Sequence, residues 1–237
     1  MKDKKYLTCE SNVVFLMLMF VAGFYGAYTY TMKGQVFCNA QTGNLVLFGT
    51  ALGTGNIKDA LYYIIPISAY VLGAVVSEAL PNLIKHSLHI RWDTLLILLE
   101  IMTVVFLGFL PSSAPVQITQ VCINFICSMQ FATFRQAEGL PMATTFCTNH
   151  IRQTGIALVK ALRHRKEGNK ADIKKLRMHI GMLLCFTVGA VSSASLTLIF
   201  KDRTIFFSLL PLLILFTLLL HSDKEDADKL ELKPMGH

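Results

Sequence analysis

Charge-free apolar stretches recur along this chain, and each is long enough to cross a membrane as a helix. Five contain no charged residue, and a sixth is interrupted only by Glu100. They cover residues 11–32, 60–77, 94–110, 116–134, 180–200 and 204–220. A transmembrane helix needs about 20 residues, with about 17 as the lower limit. The sequence therefore predicts an all-α polytopic membrane protein with six transmembrane helices, forming a single membrane domain over residues 1–237.

Most Lys and Arg residues fall in four segments, which six crossings would place on one side of the membrane. The segments precede the first stretch, join the second to the third, join the fourth to the fifth, and follow the sixth. Cytoplasmic loops of membrane proteins carry an excess of Lys and Arg. This pattern, and the net charge of +7, predict cytoplasmic termini and a short cytoplasmic tail over residues 221–237. No nucleic-acid motif accompanies the basic residues, so a nucleic-acid partner is not expected.

One segment of the chain returns in the second half. Residues 70–80 and 186–196 share Gly, Ala, Val, Ser and Leu at matching positions, and residues 41–45 have a weaker echo at 147–151. Each copy lies in a half that is predicted to cross the membrane three times, so the second half should run upside down relative to the first. This predicts two inverted three-helix repeats, an arrangement of many transporters. The repeats would cover residues 12–110 and 116–220.

Each copy of the repeated segment contains two small residues four positions apart. Gly73 with Ser77, and Gly189 with Ser193, would let helices approach closely. We expect the second and fifth transmembrane helices to pack against each other through these helix-packing residues. A contact between two copies of the chain in a homodimer is the alternative.

Two segments, 35–57 and 140–162, are too polar to be confident spans. Backbone groups of broken helices cannot face lipid without partners, so each segment is predicted to be a broken or re-entrant helix between spans or beside a wet cavity. Glycine would allow turns at Gly43 and at 53–55. In the alternative, both segments are full spans, giving eight spans in two parallel four-helix halves. That alternative weakens the concentration of basic residues on one side.

The two polar segments carry the candidate solute-binding residues. A hydroxyl, an amide and flexible backbone at membrane depth can replace part of the hydration shell of a solute or ion. The alternative is that these groups only cap and hydrogen-bond the broken helices. A further polar side chain lies inside the fourth stretch. The candidates are Thr42, Gly43, Asn44, Gln130, Thr148, Asn149, His150 and Arg152.

Glu100 is the intramembrane charge candidate because it lies in the middle of the third stretch. An unpaired carboxylate there would cost several kcal/mol, so it needs either a cation or a proton. Arg135 and Arg152 are the available cations. A neutral Glu100 would be suited to relay protons, whereas a paired one would hold two helices together.

The segments 22–24, 34–49, 129–132 and 141–148 resemble the YoaK family of bacterial integral membrane proteins, a domain of unknown function. The resemblance extends over nearly all of the chain from the first to the sixth stretch. It implies a six-span protein of the bacterial inner membrane but supplies no reaction. The chain departs from the family pattern at Gly26, where members tend to carry an acid. It also has Thr148-Asn149-His150 where they repeat Thr-Gly-Asn.

The leading functional prediction is a small-solute transporter or channel that works without ATP hydrolysis. No nucleotide-binding, protease or other catalytic motif is present, so an enzyme is not expected. Six scattered cysteines without CxxC spacing indicate apolar packing, and no metal or cofactor is expected. The alternative is a non-transporting membrane scaffold or sensor that uses the basic 160–177 loop. The expected partners are the lipid bilayer and an unknown small solute or ion, with a second copy of the chain as a further candidate.

Overall fold

The computed structural model describes residues 6–84, 90–163 and 170–225, which form an all-α fold. The α-helices are α1 (Asn12–Met32), α2 (Gln41–Gly53), α3 (Ile57–Ile84), α4 (Trp92–Gly108), α5 (Val116–Thr133), α6 (Thr148–Arg163), α7 (Lys170–Phe200) and α8 (Leu209–Glu225). There are also two 3₁₀ segments, Thr8–Glu10 and Lys201–Ser208. A short antiparallel ladder joins β1 (Gln136–Ala137) to β2 (Leu140–Pro141).

Three helices in the described part of the chain are long and apolar enough to cross a membrane. They are Asn12–Met32, Ile57–Pro81 and the continuous helical path Lys170–Glu225. That path includes two predicted stretches because the second 3₁₀ segment joins α7 directly to α8. α4 and α5 have 17 and 18 residues, close to the lower limit for a span. The protein is therefore a multi-pass membrane protein, while the number of six crossings stays a prediction.

α1 forms the centre of the bundle. Its large side chains Phe15, Phe24, Tyr25 and Tyr28 are all fully buried. The outer helices expose apolar side chains instead, and Leu198 on α7 is 85% exposed. Lipid tails are as apolar as these side chains, so an outward apolar surface suits lipid rather than water.

α1 and α7 pack side by side and run in the same direction. Leu16 lies beside Gly181, and farther along the pair Lys33 forms an ion pair with Asp202. A Cβ atom on Gly189 would lie 2.0 Å from the carbonyl oxygen of Phe20. No side chain fits at that distance, so glycine at position 189 is what allows the two backbones to touch.

α3 and α5 form a second parallel pair with a similar close approach. A Cβ atom on Gly73 would lie 2.3 Å from the carbonyl oxygen of Phe125. One turn later, the hydroxyls of Ser77 and Thr133 are 3.0 Å apart. Small residues on α3 therefore bring it against α5.

The predicted contact between the second and fifth transmembrane helices, α3 and α7, is wrong. Gly73 faces α5, and Gly189 faces α1. A small-residue pair permits close approach but does not specify the partner helix, because it presents a flat surface to any neighbour. Both surfaces are filled within one chain, so they are not available to a second copy.

The helix ends meet in two groups at opposite ends of the bundle. At the first, called the Lys33 end, Lys33 Nζ is 2.6 Å from Asp202, and Gln120 donates to the carbonyl of Lys33 at 2.7 Å. The Tyr62 hydroxyl of α3 contacts Gln120 there as well. This end therefore joins the C-terminus of α1, the first turns of α3 and α5, and the second 3₁₀ segment.

Partial burial opposes ionisation of Asp202 at the Lys33 end, but hydrogen bonds from Lys33 and Ser112 lower the pKa of its carboxyl below the ordinary value. Asp202 also accepts the Tyr28 hydroxyl on its backbone carbonyl at 2.9 Å. The ion pair thus ties α1 to the segment between α7 and α8.

The opposite end, called the Arg91 end, holds the start of α1, the start of α4 and the end of α8. The hydroxyls of Thr8 and Ser222 are 2.6 Å apart. Asp223 accepts hydrogen bonds from the backbone of Arg91 at 3.1 Å and from Thr94 at 2.7 Å. The first and last described helices therefore begin and end on the same side of the bundle.

The first polar segment turns at one of its two predicted places. α2 begins at Gln41 and runs through Gly43, so the predicted turn at Gly43 is wrong. The chain turns before the helix at Gly34, with φ of 78°, and after it at Gly55, with φ of 75°, which confirms the predicted turn at 53–55. Within the helix, the missing side chain of Gly43 leaves room for the Phe37 ring, 3.1 Å from the Cβ position.

The predicted tail is also partly helical, because α8 continues to Glu225. Residues 226–237 lie outside the described residues. Of the predicted basic 160–177 loop, residues 164–169 lie outside them too, and the described remainder is helical, at the end of α6 and the start of α7.

Candidate solute-binding site

Asn44 fastens the loop that precedes α2. Its side chain is completely buried, and its amide exchanges two hydrogen bonds with the backbone of Phe37. Phe37 N–H donates to Asn44 Oδ1 at 3.2 Å, and Asn44 Nδ2 donates to the Phe37 carbonyl at 2.8 Å. This satisfies backbone groups that would otherwise be unpaired at membrane depth. Asn44 thus hydrogen-bonds the preceding loop, whereas the N-cap residue of α2, Ala40, has no side-chain cap.

A ladder of carboxamides links Asn44 to the Lys33 end. Asn44 Nδ2 donates to Gln41 Oε1 at 3.0 Å, and Gln41 Nε2 donates to Asn124 Oδ1 at 2.6 Å. Asn124 in turn donates to the Gln120 carbonyl at 2.7 Å. Gln120, Asn124 and Asn44 are all buried, so this ladder is an uncharged polar path inside the bundle.

His150 fastens the loop that precedes α6. Its Nε2 is 2.8 Å from the Ala143 carbonyl, and its Nδ1 is 2.9 Å from Nδ1 of His179 on α7. A carbonyl only accepts, so Nε2 of His150 carries the proton and Nδ1 accepts from His179. His179 Nε2 then has no proton, and no partner among the described residues.

The buried side chains of Asn44 and His150 make their backbone hydrogen bonds at matching places in the two polar segments. Asn44 bonds to the residue seven positions before it, Phe37, and His150 also bonds to the residue seven positions before it, Ala143. Among the described residues, no hydrogen bond joins Asn44 to His150. Each belongs to a network of its own.

Gln130 lies fully buried beside the second polar segment. Its Nε2 donates to the Thr144 carbonyl at 3.1 Å. Its Oε1 and the Thr144 hydroxyl have no hydrogen-bond partner among the described residues. Buried polar groups are normally paired, so these two oxygens need water, an ion or a solute group.

The remaining residues of the two candidate motifs point away from these networks. Thr42 and Thr148 are both exposed on the outer faces of α2 and α6. Arg152 is exposed as well and donates to Asn149 Oδ1 at 2.9 Å. These four side chains therefore do not enter the buried networks.

Glu100 is completely buried in α4, and neither of its carboxyl oxygens has a hydrogen-bond partner among the described residues. Neither cation predicted for it is its partner. Arg135 pairs with Glu78 at 2.8 Å, and Arg152 is exposed. Both arginines lie near helix ends, where water or headgroups solvate them better than the bundle interior does.

Two small cavities among the described residues lie at the Arg91 end. Cys9 and Asp93 line both of them, and each has room for about one water molecule. Neither touches Asn44 or His150. The described residues also bring together no group of three His, Cys, Asp or Glu side chains that would hold a metal ion.

Sequence reasoning missed three buried polar residues that take part in these networks: Gln120, Asn124 and His179. A signal for two of them was present. Gln120, Asn124 and Ser128 recur every four residues, which places them along one face of α5. Polar side chains on one face of an apolar span usually face the bundle interior.

These observations define an all-helical, multi-pass membrane protein with two short helices, each attached to the bundle by a buried polar side chain. The model of the DUF1275 family, described as a protein of unknown function, matches residues 14–218. The chain belongs to this family, whose members are commonly called YoaK proteins. No match was found among curated proteins or solved structures.

Proposed function

We propose that the protein is a small-solute transporter or channel of the bacterial inner membrane that works without ATP hydrolysis or covalent chemistry. The observation that carries this proposal is the matched pair of short helices, each held against the bundle by a buried polar side chain, Asn44 in α2 and His150 in α6. Broken helices inside a membrane domain commonly form the binding site of a transporter.

Two inverted three-helix repeats account for the way the helices pair. In this arrangement α1, α2, α3 and α4 of the first half are equivalent to α5, α6, α7 and α8 of the second. The pair α1 and α7 is then equivalent to the pair α5 and α3, and both pairs are parallel and in backbone contact. The neighbours α2 and α3 are likewise equivalent to α6 and α7. The equivalence even preserves local detail, because Phe20 meets Gly189 in the first pair as Phe125 meets Gly73 in the second.

Six crossings, with α2 and α6 as re-entrant helices, fit the helix ends. α2 begins beside Asn124, within α5, and its end is joined through Gly55 to the start of α3 at the Lys33 end. Its 13 residues span about 20 Å, well short of a hydrocarbon core of about 30 Å. This length supports the re-entrant interpretation over eight full spans.

The solute site of this proposal is built from uncharged buried groups. Gln130 Oε1 and the Thr144 hydroxyl are buried without partners among the described residues. Both are hydrogen-bond acceptors, and the hydroxyl is also a donor. They favour a small polar solute that offers hydrogen-bond donors in place of its water.

A thermal-shift screen of the purified protein tests this proposal. The panel would contain glycine, urea, glycerol, nitrate, acetate, sodium and potassium, since a ligand that binds only the folded state raises the melting temperature. Uptake of any responding solute into proteoliposomes would then be measured. Gln130→Met should reduce uptake about tenfold or more, corresponding to about 1.4 kcal/mol or more of lost interaction.

Gln117→Met is the matched control, because Gln117 is a half-buried residue of the same helix. It should leave both readouts unchanged. Equal uptake by protein-free and protein-containing liposomes across the panel would count against transport, and equal loss in both variants would remove Gln130 from the site.

A membrane scaffold or sensor is the second candidate function, and the outer face of α6 favours it. Ile151 and Leu162 are exposed on one part of this face, and Arg152, Lys160 and Arg163 on the adjacent part. Such a helix suits the boundary between acyl chains and anionic headgroups. The small described cavities are also compatible with a bundle that moves nothing.

The two functions differ in what neutralising the basic residues would do. Replacing Arg152, Lys160 and Arg163 together with Gln should abolish stabilisation by phosphatidylglycerol if α6 works as a lipid sensor. A transporter with its site at Gln130 should keep its solute response in the same variant.

A further inference from the structure

One carboxyl group in the bundle interior has no neutralising partner among the described residues. Glu100 lies in the middle of α4 with both oxygens buried and unpaired. The other buried acids lie at the Arg91 end with partners. Asp93 is 3.1 Å from Arg91, Asp223 accepts from Thr94, and Glu10 accepts from the backbone of Leu7 at 3.2 Å. Glu100 is therefore not part of that surface cluster.

One hydroxyl group of a neighbouring helix accompanies Glu100 in this interior cluster. Tyr25 of α1 is completely buried and lies close enough to Glu100 to feel its charge. Ser208 of the second 3₁₀ segment lies beside Tyr25 and uses its own hydroxyl to donate to the Ile205 carbonyl. Among the described residues, no hydrogen bond joins Glu100 to Tyr25.

No described cation reaches this interior cluster. Tyr25 and Cys127 of α5 are the titratable side chains close enough to feel the charge of Glu100. On the 3₁₀ segment, Asp202 is paired with Lys33, while Lys201 and Arg203 are exposed. The ionisable residues of α8, from His221 to Glu225, lie at the Arg91 end.

The free-energy cost of burying a charge decides the protonation state of Glu100. A buried carboxylate without a cation or hydrogen bonds costs several kcal/mol, whereas a neutral carboxylic acid costs less and gains an O–H donor. Protonation of Glu100 therefore removes the cost of a buried charge.

We propose that Glu100, with Tyr25 beside it, forms a proton-binding site in the middle of the bundle. The carboxylate takes a proton from water on the side to which the site is open, forming an O–H bond, and returns it to water on the other side. The role of this proton as the coupling ion rests on the transport function proposed above. The binding site itself does not depend on that function.

Infrared spectroscopy of the full-length protein in an ester-free detergent tests the site directly. A protonated carboxylic acid has a carbonyl stretch that is distinct from that of a carboxylate and shifts in D₂O. Wild-type protein at neutral pH should show this band with a D₂O shift, and Glu100→Gln should lose it. Glu78→Gln is the matched control, because Glu78 is 73% exposed and paired with Arg135, and this variant should keep the band.

Tyr25→Phe provides a second readout if Glu100→Gln does not fold. It removes the hydroxyl and retains the ring, so the band should remain but move as the surroundings of the carboxylic acid become less polar. An unmoved band would exclude Tyr25 from the site. A wild-type spectrum without the band would overturn the proposal, as would loss of the band on adding sodium, which would indicate a metal-cation site.

Proteoliposomes with an internal pH dye separate this inference from the proposed function. Under a potassium diffusion potential, a responding solute should drive acidification in the wild type and none in Glu100→Gln. The infrared band together with solute uptake that moves no protons would support the proton site and exclude its use in coupling. The infrared band without any solute uptake would support the proton site and count against transport.

Discussion

At the scale of single residues, the structure separates glycines that hold two helices together from glycines that touch nothing. Gly189 and Gly155 both lie inside helices, but only Gly189 faces another backbone. A Cβ atom at Gly189 would meet the Phe20 carbonyl, whereas no atom lies within 4 Å of the Cβ position of Gly155. The same substitution at the two sites should therefore have opposite effects.

We expect Gly189→Ala to destabilise the protein by about 1–3 kcal/mol or more, because α1 and α7 must separate to admit the methyl group. Gly155→Ala should be neutral or stabilising by up to about 1 kcal/mol, because alanine favours the helix. Thermal unfolding in detergent measures both. Equal melting temperatures for the two variants would show that α1 and α7 do not touch at Gly189.

A second residue-scale prediction concerns Asn44. Removing its amide in Asn44→Leu leaves the N–H and carbonyl of Phe37 unpaired, at a cost of about 1–3 kcal/mol for each group. The sequence alone predicted a variant that folds nearly normally, and the double hydrogen bond now predicts a clear loss of melting temperature. Thr42→Val changes an exposed residue of the same helix and should have little effect. A fully stable Asn44→Leu variant would mean that the loop does not need this fastening.

At the scale of elements, what could be predicted from sequence depends on whether an element carries its own signal. α1, α3 and the path through α7 and α8 were predictable because long apolar runs need no knowledge of their neighbours. The helix against which each one packs was not predictable, since the small residues around Gly73 suit α5 and α7 equally well. Asn44 and His150 were found by their polar context, but their bonds to Phe37 and Ala143 depend on loop folding. His179 gave no signal because a single His in an apolar helix is ambiguous.

The ion pair between α1 and the second 3₁₀ segment predicts how pH acts on this contact. The folded-state pKa of Asp202 lies below its ordinary value, so its contribution to stability is fully present above that ordinary value and disappears as pH falls through the folded-state pKa. The side chain is partly exposed, so the contribution is about 1 kcal/mol or less. Asp202→Asn should lower the melting temperature at neutral pH, and the difference from wild type should shrink in acid. A difference that grows in acid would contradict this assignment.

At the scale of the whole molecule, the two groups of helix ends predict one topology. Thr8, Arg91, Arg135 and Asp223 share the Arg91 end, which also receives the basic residues at the start of α7. Lys33, the loop after α4 and Asp202 share the other end. Because the described chain begins and ends at the Arg91 end, it crosses a bilayer placed between the two ends an even number of times. The basic residues predict that the Arg91 end is cytoplasmic.

Cysteine labelling in intact cells tests this topology. The sequence predicts that cysteines at Ser87 and Asn169 would be labelled from the cytoplasmic side. Both residues lie outside the described residues, so exposed positions within the structure are the better labelling sites. In a background with the six native cysteines replaced, Ser113→Cys should react with a membrane-impermeant maleimide, because Ser113 lies in the exposed loop between α4 and α5. Lys170→Cys, exposed at the start of α7, should react only after the cells are permeabilised. The reverse pattern would place the basic end outside, and labelling of both sites in intact cells would rule out the arrangement with six crossings. Because the inverted repeat requires three crossings in each half, that second result would also remove the repeat from the proposed function, while the close contact of α1 with α7 would stand.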